Sequence, residues 1–202
     1  MPQSQSMIFS ATVPKYIQEI ARDYMKDPLM IDMVGDDTTQ MPDTISNEIV
    51  LCQNRKAKLH NIRKFVNRNP QLKILIFCQT KQEVKNYERE TFARFGCLHG
   101  DLMQNTRLSI LNEFRRPRSS TVLVATDVAA RGLDIDDIDV VIHQSVQNVD
   151  SFIHRTGRTG RAGKKGRNIV MFDVEESLIS LDFFAKIEKS LKCNFKYTNS
   201  IS

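Results

Sequence analysis

Residues 73–78 read Lys-Ile-Leu-Ile-Phe-Cys, and residues 121–125 read Thr-Val-Leu-Val-Ala. Neither run alternates apolar with polar residues, so neither suits a strand with one wet face. Both suit strands buried on two faces, the kind found in parallel sheets covered by helices above and below. Between them the period changes. Residues 82–95 and 104–115 predict helices, the second with Leu108, Leu111 and Phe114 at i, i+3 and i+6. Further strands are predicted at 44–52, 96–99, 140–143 and 168–172. Further helices are predicted at 55–67, with Leu59, Ile62, Phe65 and Val66 inward, and at 150–155 and 177–191. This alternation implies an α/β fold: an open, mostly parallel sheet with helices on both faces. Ligands on such sheets bind at the carboxyl ends of the strands, which directs attention to the residues just after each one.

The start of the chain is organised differently. Residues 7–12, Met-Ile-Phe-Ser-Ala-Thr, predict a short strand. Pro14 opens a helix whose apolar face is Ile17, Ile20, Ala21 and Tyr24, and Asp27-Pro28 stops it. Residues 29–33 read as a short extended piece. Residues 35–42 are polar, lack a period and carry a breaker at each end, so they read as a linker. The divisions are therefore 1–34, 35–42 and a main domain at 43–202. Residues 195–202 read as a tail.

At 202 residues, 41% hydrophobic and 26% charged, the chain can bury a sizeable core and is not of the disordered class. No apolar run approaches a membrane span, so no membrane partner is expected. None of the four cysteines, Cys52, Cys78, Cys97 and Cys193, forms a C-x-x-C pair or a Cys/His cluster with zinc spacing. That suits a reducing, intracellular compartment, with nucleus, nucleolus and cytoplasm all open. The first residues show no basic-then-apolar leader pattern. The formal charge of +5 is ordinary in size. It is informative because Arg155, Arg158, Arg161, Lys164, Lys165 and Arg167 crowd into one stretch.

That stretch contains His154-Arg-Thr-Gly-Arg-Thr-Gly-Arg161. If it is helical, Arg155, Arg158 and Arg161 share one face and form a row. Gly157 and Gly160 beside the row weaken a helix and suit a close approach by backbone or ligand. Guanidinium is suited to bidentate binding of phosphate, which points to a phosphate site built from arginines. Other candidates follow predicted strands. Thr80 puts a hydroxyl past the strand at 73–78, where a helix cap is the competing reading. Gly100, in His99-Gly100-Asp101, permits close approach. Gln104 and Arg107 lie one turn apart at a helix start, where backbone amides also favour an anion. Thr126 can donate to a phosphate, and Asp134 can accept from ribose hydroxyls. The competing readings are a helix cap for Asp134 and, for Asp127, an ion pair with Arg131.

Taken in order, these segments resemble the motifs of the DEAD-box RNA helicases. Ser10-Ala11-Thr12 looks like motif III, and residues 76–80 like motif IV. His99-Gly100-Asp101 with Gln104 and Arg107 resembles the Q-x-x-R element. Residues 125–134 resemble motif V, and 154–161 motif VI. The resemblance implies that 43–202 is a RecA-like, P-loop-NTPase-like helicase C-terminal lobe, preceded by the end of the first lobe and a linker. It implies that Arg158 and Arg161 act as arginine fingers on ATP and that Asp134 contacts the ribose. Thr80, Gly100, Gln104, Arg107 and Thr126 would line an RNA backbone path. His154, Arg155, Ser10 and Thr12 would couple the lobes. The implied partners are RNA, ATP, the N-terminal RecA-like domain of the same protein, and protein cofactors.

One departure qualifies the resemblance. No G-x-x-x-x-G-K-[ST] loop and no Asp-Glu-Ala-Asp occur in the 202 residues. Those parts hold the triphosphate and Mg²⁺ in the family's first lobe, so the 202-residue chain by itself is expected to lack ATPase activity. Two rivals are a stand-alone RNA-binding or adaptor module and a DNA-directed helicase of the same superfamily. The arginine set speaks against the first and His154 against the second.

Overall fold

The computed structural model describes residues 5–9, 15–31, 41–90, 95–116, 121–130, 135, 138–175 and 180–201. The chain divides into two compact units, 1–38 and 39–202.

In the first unit, residues 5–9 form no regular structure, so the described part of the strand expected at 7–12 is not a strand. Ser10 and Thr12 lie outside the described residues. Helix α1 (Lys15–Tyr24) forms as its period requires, yet none of its residues is buried. Asp27 then takes a left-handed φ of 46° ahead of Pro28.

The second unit alternates through β1 (Ile45–Cys52), α2 (Arg55–Arg68), β2 (Ile74–Cys78), α3 (Lys81–Glu88), β3 (Phe95–Leu98), α4 (Gln104–Arg115) and β4 (Val122–Thr126). It continues with α5 (Asp127–Ala130), β5 (Val140–His143), α6 (Val149–Thr156), a 3₁₀ turn (Arg161–Gly163), β6 (Gly166–Asp173), α7 (Leu181–Leu191) and β7 (Phe195–Thr198). The strands form one sheet in the order β3-β4-β2-β5-β6-β1-β7. Every described pairing is parallel.

The continuous apolar runs are buried on both faces, for the reason their composition suggested. Ile74, Ile76, Val122, Val124 and Val140 pack under Ile62, Phe65 and Val66 of α2 and Val84 and Tyr87 of α3. Their alternates Leu75, Phe77, Leu123, Ala125 and Val141 pack under Leu111 and Phe114 of α4 and under α5. Further along that second face, Ile49, Val170 and Phe172 meet Phe152 of α6 and Phe184, Ile187 and Leu191 of α7.

Four expectations change. The helix expected at 82–95 is α3, ending at Glu88. Phe95 opens β3 opposite Val122 and sets its ring against Tyr87, 5.3 Å between centroids. The helix expected at 177–191 starts at Leu181, with 176–179 outside the described residues. Part of the expected tail is β7, which pairs with β1 and buries Phe195. Leu108 is 46% exposed while Leu111 and Phe114 are buried. Each step of three residues drifts about 60° around a helix, so the first of three such residues leaves the face the others share. No described helix is long and apolar enough to cross a membrane.

Candidate nucleic-acid and phosphate sites

The carboxyl ends of β3, β4, β2 and β5 stand side by side. Their registers level them, with Leu98 opposite Ala125, Thr126 opposite Cys78, and Phe77 opposite His143. The residues just beyond these ends therefore fall into a row along one edge.

Thr80 caps α3. Its Oγ1 accepts from the Glu83 amide at 3.2 Å, and the Glu83 carboxylate accepts from the amides of Gln79 (2.8 Å) and Thr80 (3.4 Å). This reciprocal box supplies the cap reading of Thr80. Accepting a bond leaves the hydroxyl hydrogen able to donate outward, so the cap does not preclude a ligand. Gly100 follows β3. A methyl group placed on it would meet nothing within 4 Å, so the space beside it is open. Gln104 is the first residue of α4. Arg107 donates to Gln104 Oε1 at 3.5 Å and to the Ala129 carbonyl at 3.0 Å, tying α4 to α5. Its buried Nε finds no acceptor among the described residues. Thr126 ends β4, and its Oγ1 accepts from the Ala129 amide at 3.4 Å. Thr80, Gly100, Gln104, Arg107 and Thr126 thus gather around three neighbouring strand ends.

The three arginines do not form a row. Helix α6 ends at Thr156, with Gly157 as its cap, so the spacing of three is not carried through on one helical face. Arg155 turns inward and is 1% exposed. Its Nε and Nη2 donate to the two oxygens of Asp127 at 2.7 and 2.6 Å, and its Nη1 to the Ser145 carbonyl at 2.6 Å. Its guanidinium also lies 5.3 Å from the centre of the Phe77 ring. Asp127 makes its ion pair with Arg155; Arg131 lies outside the described residues.

Arg158 and Arg161 belong to the other end of the sheet. Helix α6 starts beyond β5 and runs back toward the amino edge, about 12 Å for its eight residues. Just past it, Thr159 donates to the Ile138 carbonyl at 2.6 Å, ahead of β5. Gly160 takes a φ of +67° against Ile45 at the start of β1. The Gly166 amide donates to the Thr44 carbonyl at 2.9 Å. Arg161 is exposed and curls back, its Nε donating to the Gly157 carbonyl at 2.8 Å. Arg158 is half-buried and His154 exposed. A cleft of about 190 Å³ lies beside this turn, lined by Ile45, Ile153, Gly157, Gly160, Arg161 and Leu191 among others. Asp134 lies outside the described residues. Among the described residues no three His, Cys, Asp or Glu side chains gather as a metal site.

Sequence reasoning missed a buried polar chain beneath α6. Asn168 Nδ2 donates to Asn47 Oδ1 at 2.9 Å, which leaves Asn168 Oδ1 facing His143 Nε2 at 2.5 Å. His143 therefore carries its proton on Nε2. Thr156 Oγ1 sits 3.5 Å from the same nitrogen, and Phe152 stacks on the ring at 5.1 Å. Burial, with the Arg155 charge adding to it, pushes the imidazole pKa down to about 3, against the hydrogen bond that His143 gives to Asn168, which favours protonation. The available signal was a polar residue at each of three strand positions that β-alternation turns toward the core.

The profile of the helicase conserved C-terminal domain family matches residues 57–163. DEAD-box ATP-dependent RNA helicase 53 of Oryza sativa subsp. japonica is 40% identical over 202 residues, covering 96% of this chain and 32% of that protein. The chain thus spans about a third of the length of the relatives it matches. The E. coli DEAD-box protein SrmB, solved bound to regulator of ribonuclease activity A, is 26% identical with a TM-score of 0.66, over 76% of this chain and 89% of that one. S. cerevisiae Dbp5, solved bound to RNA and ADP BeF3, superposes with a TM-score of 0.75 over 94% of this chain and 50% of that one. At 24% identity that last likeness speaks to the fold.

Proposed function

The chain belongs to the DEAD-box ATP-dependent RNA helicases through its helicase conserved C-terminal domain, and on that premise we propose that it works as the second RecA-like lobe of such an enzyme. Residues 1–34 end the first lobe, 35–42 link the two, and 43–202 form the second. The boundary between the compact units, after residue 38, falls inside that linker and supports the division.

The observation that carries the reading is the separation of the two candidate sites, with α6 strung between them. Thr80, Gly100, Gln104, Arg107 and Thr126 line an RNA backbone path at the carboxyl edge. They offer hydroxyls, an amide and a guanidinium, donors that grip phosphate and sugar rather than base edges. Arg158 and Arg161 lie beyond the far end of α6 and serve ATP as arginine fingers, with Asp134 on the ribose. Guanidiniums beside an open, glycine-rich turn fit a transferring phosphoryl group, whose charge they would stabilise in the transition state. Mg²⁺ would be held by the first lobe. His154 couples the lobes from the surface of α6. Arg155 does so from within, because Asp127, adjacent to Thr126, ties α6 to the end of β4. A shift of α6 on RNA binding would thereby move the arginine turn. Closure around both ligands would melt a short duplex locally. The reduced cysteines suit an intracellular setting, nuclear, nucleolar or cytoplasmic. The SrmB complex supports a protein cofactor as a further partner.

The test is RNA-stimulated ATP hydrolysis by this chain joined to a DEAD-box first lobe, compared with Arg158→Ala and Arg161→Ala. Each variant is expected to lose at least about 10³-fold in kcat, as loss of an arginine finger does, while RNA binding persists. Full turnover by either variant would remove the arginine-finger assignment. Tight RNA binding by the isolated chain, indifferent to nucleotide and first lobe, would favour the stand-alone binding module.

A further inference from the structure

Asp101, next to Gly100, holds two ammonium groups at once. Lys81 Nζ lies 3.0 Å from its Oδ1 and Lys85 Nζ 2.9 Å from its Oδ2. Both lysines come from α3, so they reach from one face of the sheet to the turn between β3 and α4. On the other face, the first turn of α4 carries Arg107, whose guanidinium bonds the Ala129 carbonyl. The space beside Gly100, next to the residue that gathers the two lysines, is open.

Fold stability does not account for this arrangement. Lys81 and Asp101 are exposed and Lys85 is half-buried, and ion pairs this open to solvent contribute little. Lys81 is the first residue of α3, where the helix dipole disfavours a positive charge. The nearby Glu83 carboxylate is already used by two backbone amides. Among the described carboxylates, Asp101 is the one that bonds both ammonium groups. The two lysine hydrogen bonds, that of Lys85 first, hold the Asp101 pKa down to about 2.

Resting on the carboxyl-edge reading above, we propose that Lys81 and Lys85, gathered by Asp101, bind two consecutive backbone phosphates of the nucleic acid strand where it passes Gly100 and leaves the lobe at the edge strand β3. Each ammonium has two further hydrogens beyond the one given to Asp101 and can turn one to a phosphate oxygen. Asp101 stays in place as the anchor that fixes their spacing.

The experiment is fluorescence anisotropy of a labelled oligouridylate and a labelled oligoadenylate with the 202-residue chain over a salt series. For Lys81→Ala/Lys85→Ala, the slope of log Kobs on log[salt] is expected to become shallower by about 1.4, two single-strand phosphates at about 0.7 each. The loss should be equal for both homopolymers, and Lys81→Arg/Lys85→Arg should keep the slope. Lys186→Ala/Lys189→Ala, which removes the same charge from α7, should leave it unchanged; an equal drop there would reduce the effect to net charge and overturn the proposal. An unchanged slope in the Lys81/Lys85 variant while Arg107→Ala still weakens binding would overturn it and leave the carboxyl-edge reading standing. Indifference to Arg107→Ala and to the lysine variants alike would remove both. Circular dichroism of each variant checks that the fold is intact.

Discussion

Arg155 grips Asp127 through two parallel hydrogen bonds of 2.7 and 2.6 Å, across 28 residues of chain. A guanidinium buried this fully must keep its partner, because an unpaired charge in the core costs far more than the pair contributes. Asp127→Ala is therefore expected to lower the unfolding free energy by about 3–5 kcal/mol. Arg155→Lys should not restore stability, since an ammonium cannot reproduce the planar fork. Urea unfolding measures both. Near-native stability in Asp127→Ala would show that Ser145 and Phe77 suffice to hold the guanidinium.

Two glycines should respond in opposite ways. At Gly166 an added Cβ would come within 2.6 Å of the Gly160 amide nitrogen and would also strike the Thr159 side chain. Gly166→Ala is expected to cost about 2 kcal/mol or more, in the range of overpacked cores. At Gly100 an added Cβ meets nothing, so Gly100→Ala should stay within about 0.5 kcal/mol of the parent. It should nevertheless weaken RNA binding, because the methyl would occupy space kept for the strand. Thermal unfolding and anisotropy, run side by side, separate the two effects.

His143 predicts an acid-sensitive fold. Its native pKa of about 3 lies below the ordinary histidine value of 6.5. Between those limits the unfolded chain binds one proton more than the native chain, so stability falls as pH falls through that window. By pH 5 the loss is about 2 kcal/mol, at about 1.4 kcal/mol per pH unit. The charged neighbour is Arg155, which also opposes protonation; Asn168, Thr156 and Phe152 complete the surroundings. His143→Gln should lose this part of the pH slope between pH 7 and 5. Parallel curves for parent and variant would contradict the buried neutral imidazole.

Thr80 carries two roles that substitution can part. Thr80→Ala removes the N-cap bond to Glu83 and should destabilise by about 1 kcal/mol. Thr80→Asp restores a good cap but places a carboxylate where a phosphate would lie, so it should recover stability and not RNA binding. Recovery of both would leave Thr80 as a cap alone.

Much of this architecture was legible in order. The runs at 73–78 and 121–125 lack polar alternation, and they became β2 and β4 at the sheet centre. The helix expected at 104–115 matches α4 to the residue because its start and its inward Leu111 and Phe114 are local features. Apolar spacing alone puts Phe95 at the end of a helix, because it does not register that the backbone there pairs with Val122, which is supplied from far along the chain. β7 escaped because four residues show little period, and its partner β1 lies at the other end of the domain.

Local pattern thus determined most element types of the main domain, the parallel sheet and the row of Thr80, Gly100 and Thr126 beyond strand ends, since these follow from side-chain periodicity and from where strands stop. Tertiary structure decided which way the arginines face. Arg155, Arg158 and Arg161 share a spacing of three, yet Arg155 is drawn inward by a carboxylate from β4's end, while α6 carries the other two to the opposite edge. Spacing along a chain sets direction only while one helix lasts, and this one ends at Thr156. Beyond that point the positions depend on Thr159 meeting Ile138 and Gly160 meeting Ile45, contacts between segments distant in sequence.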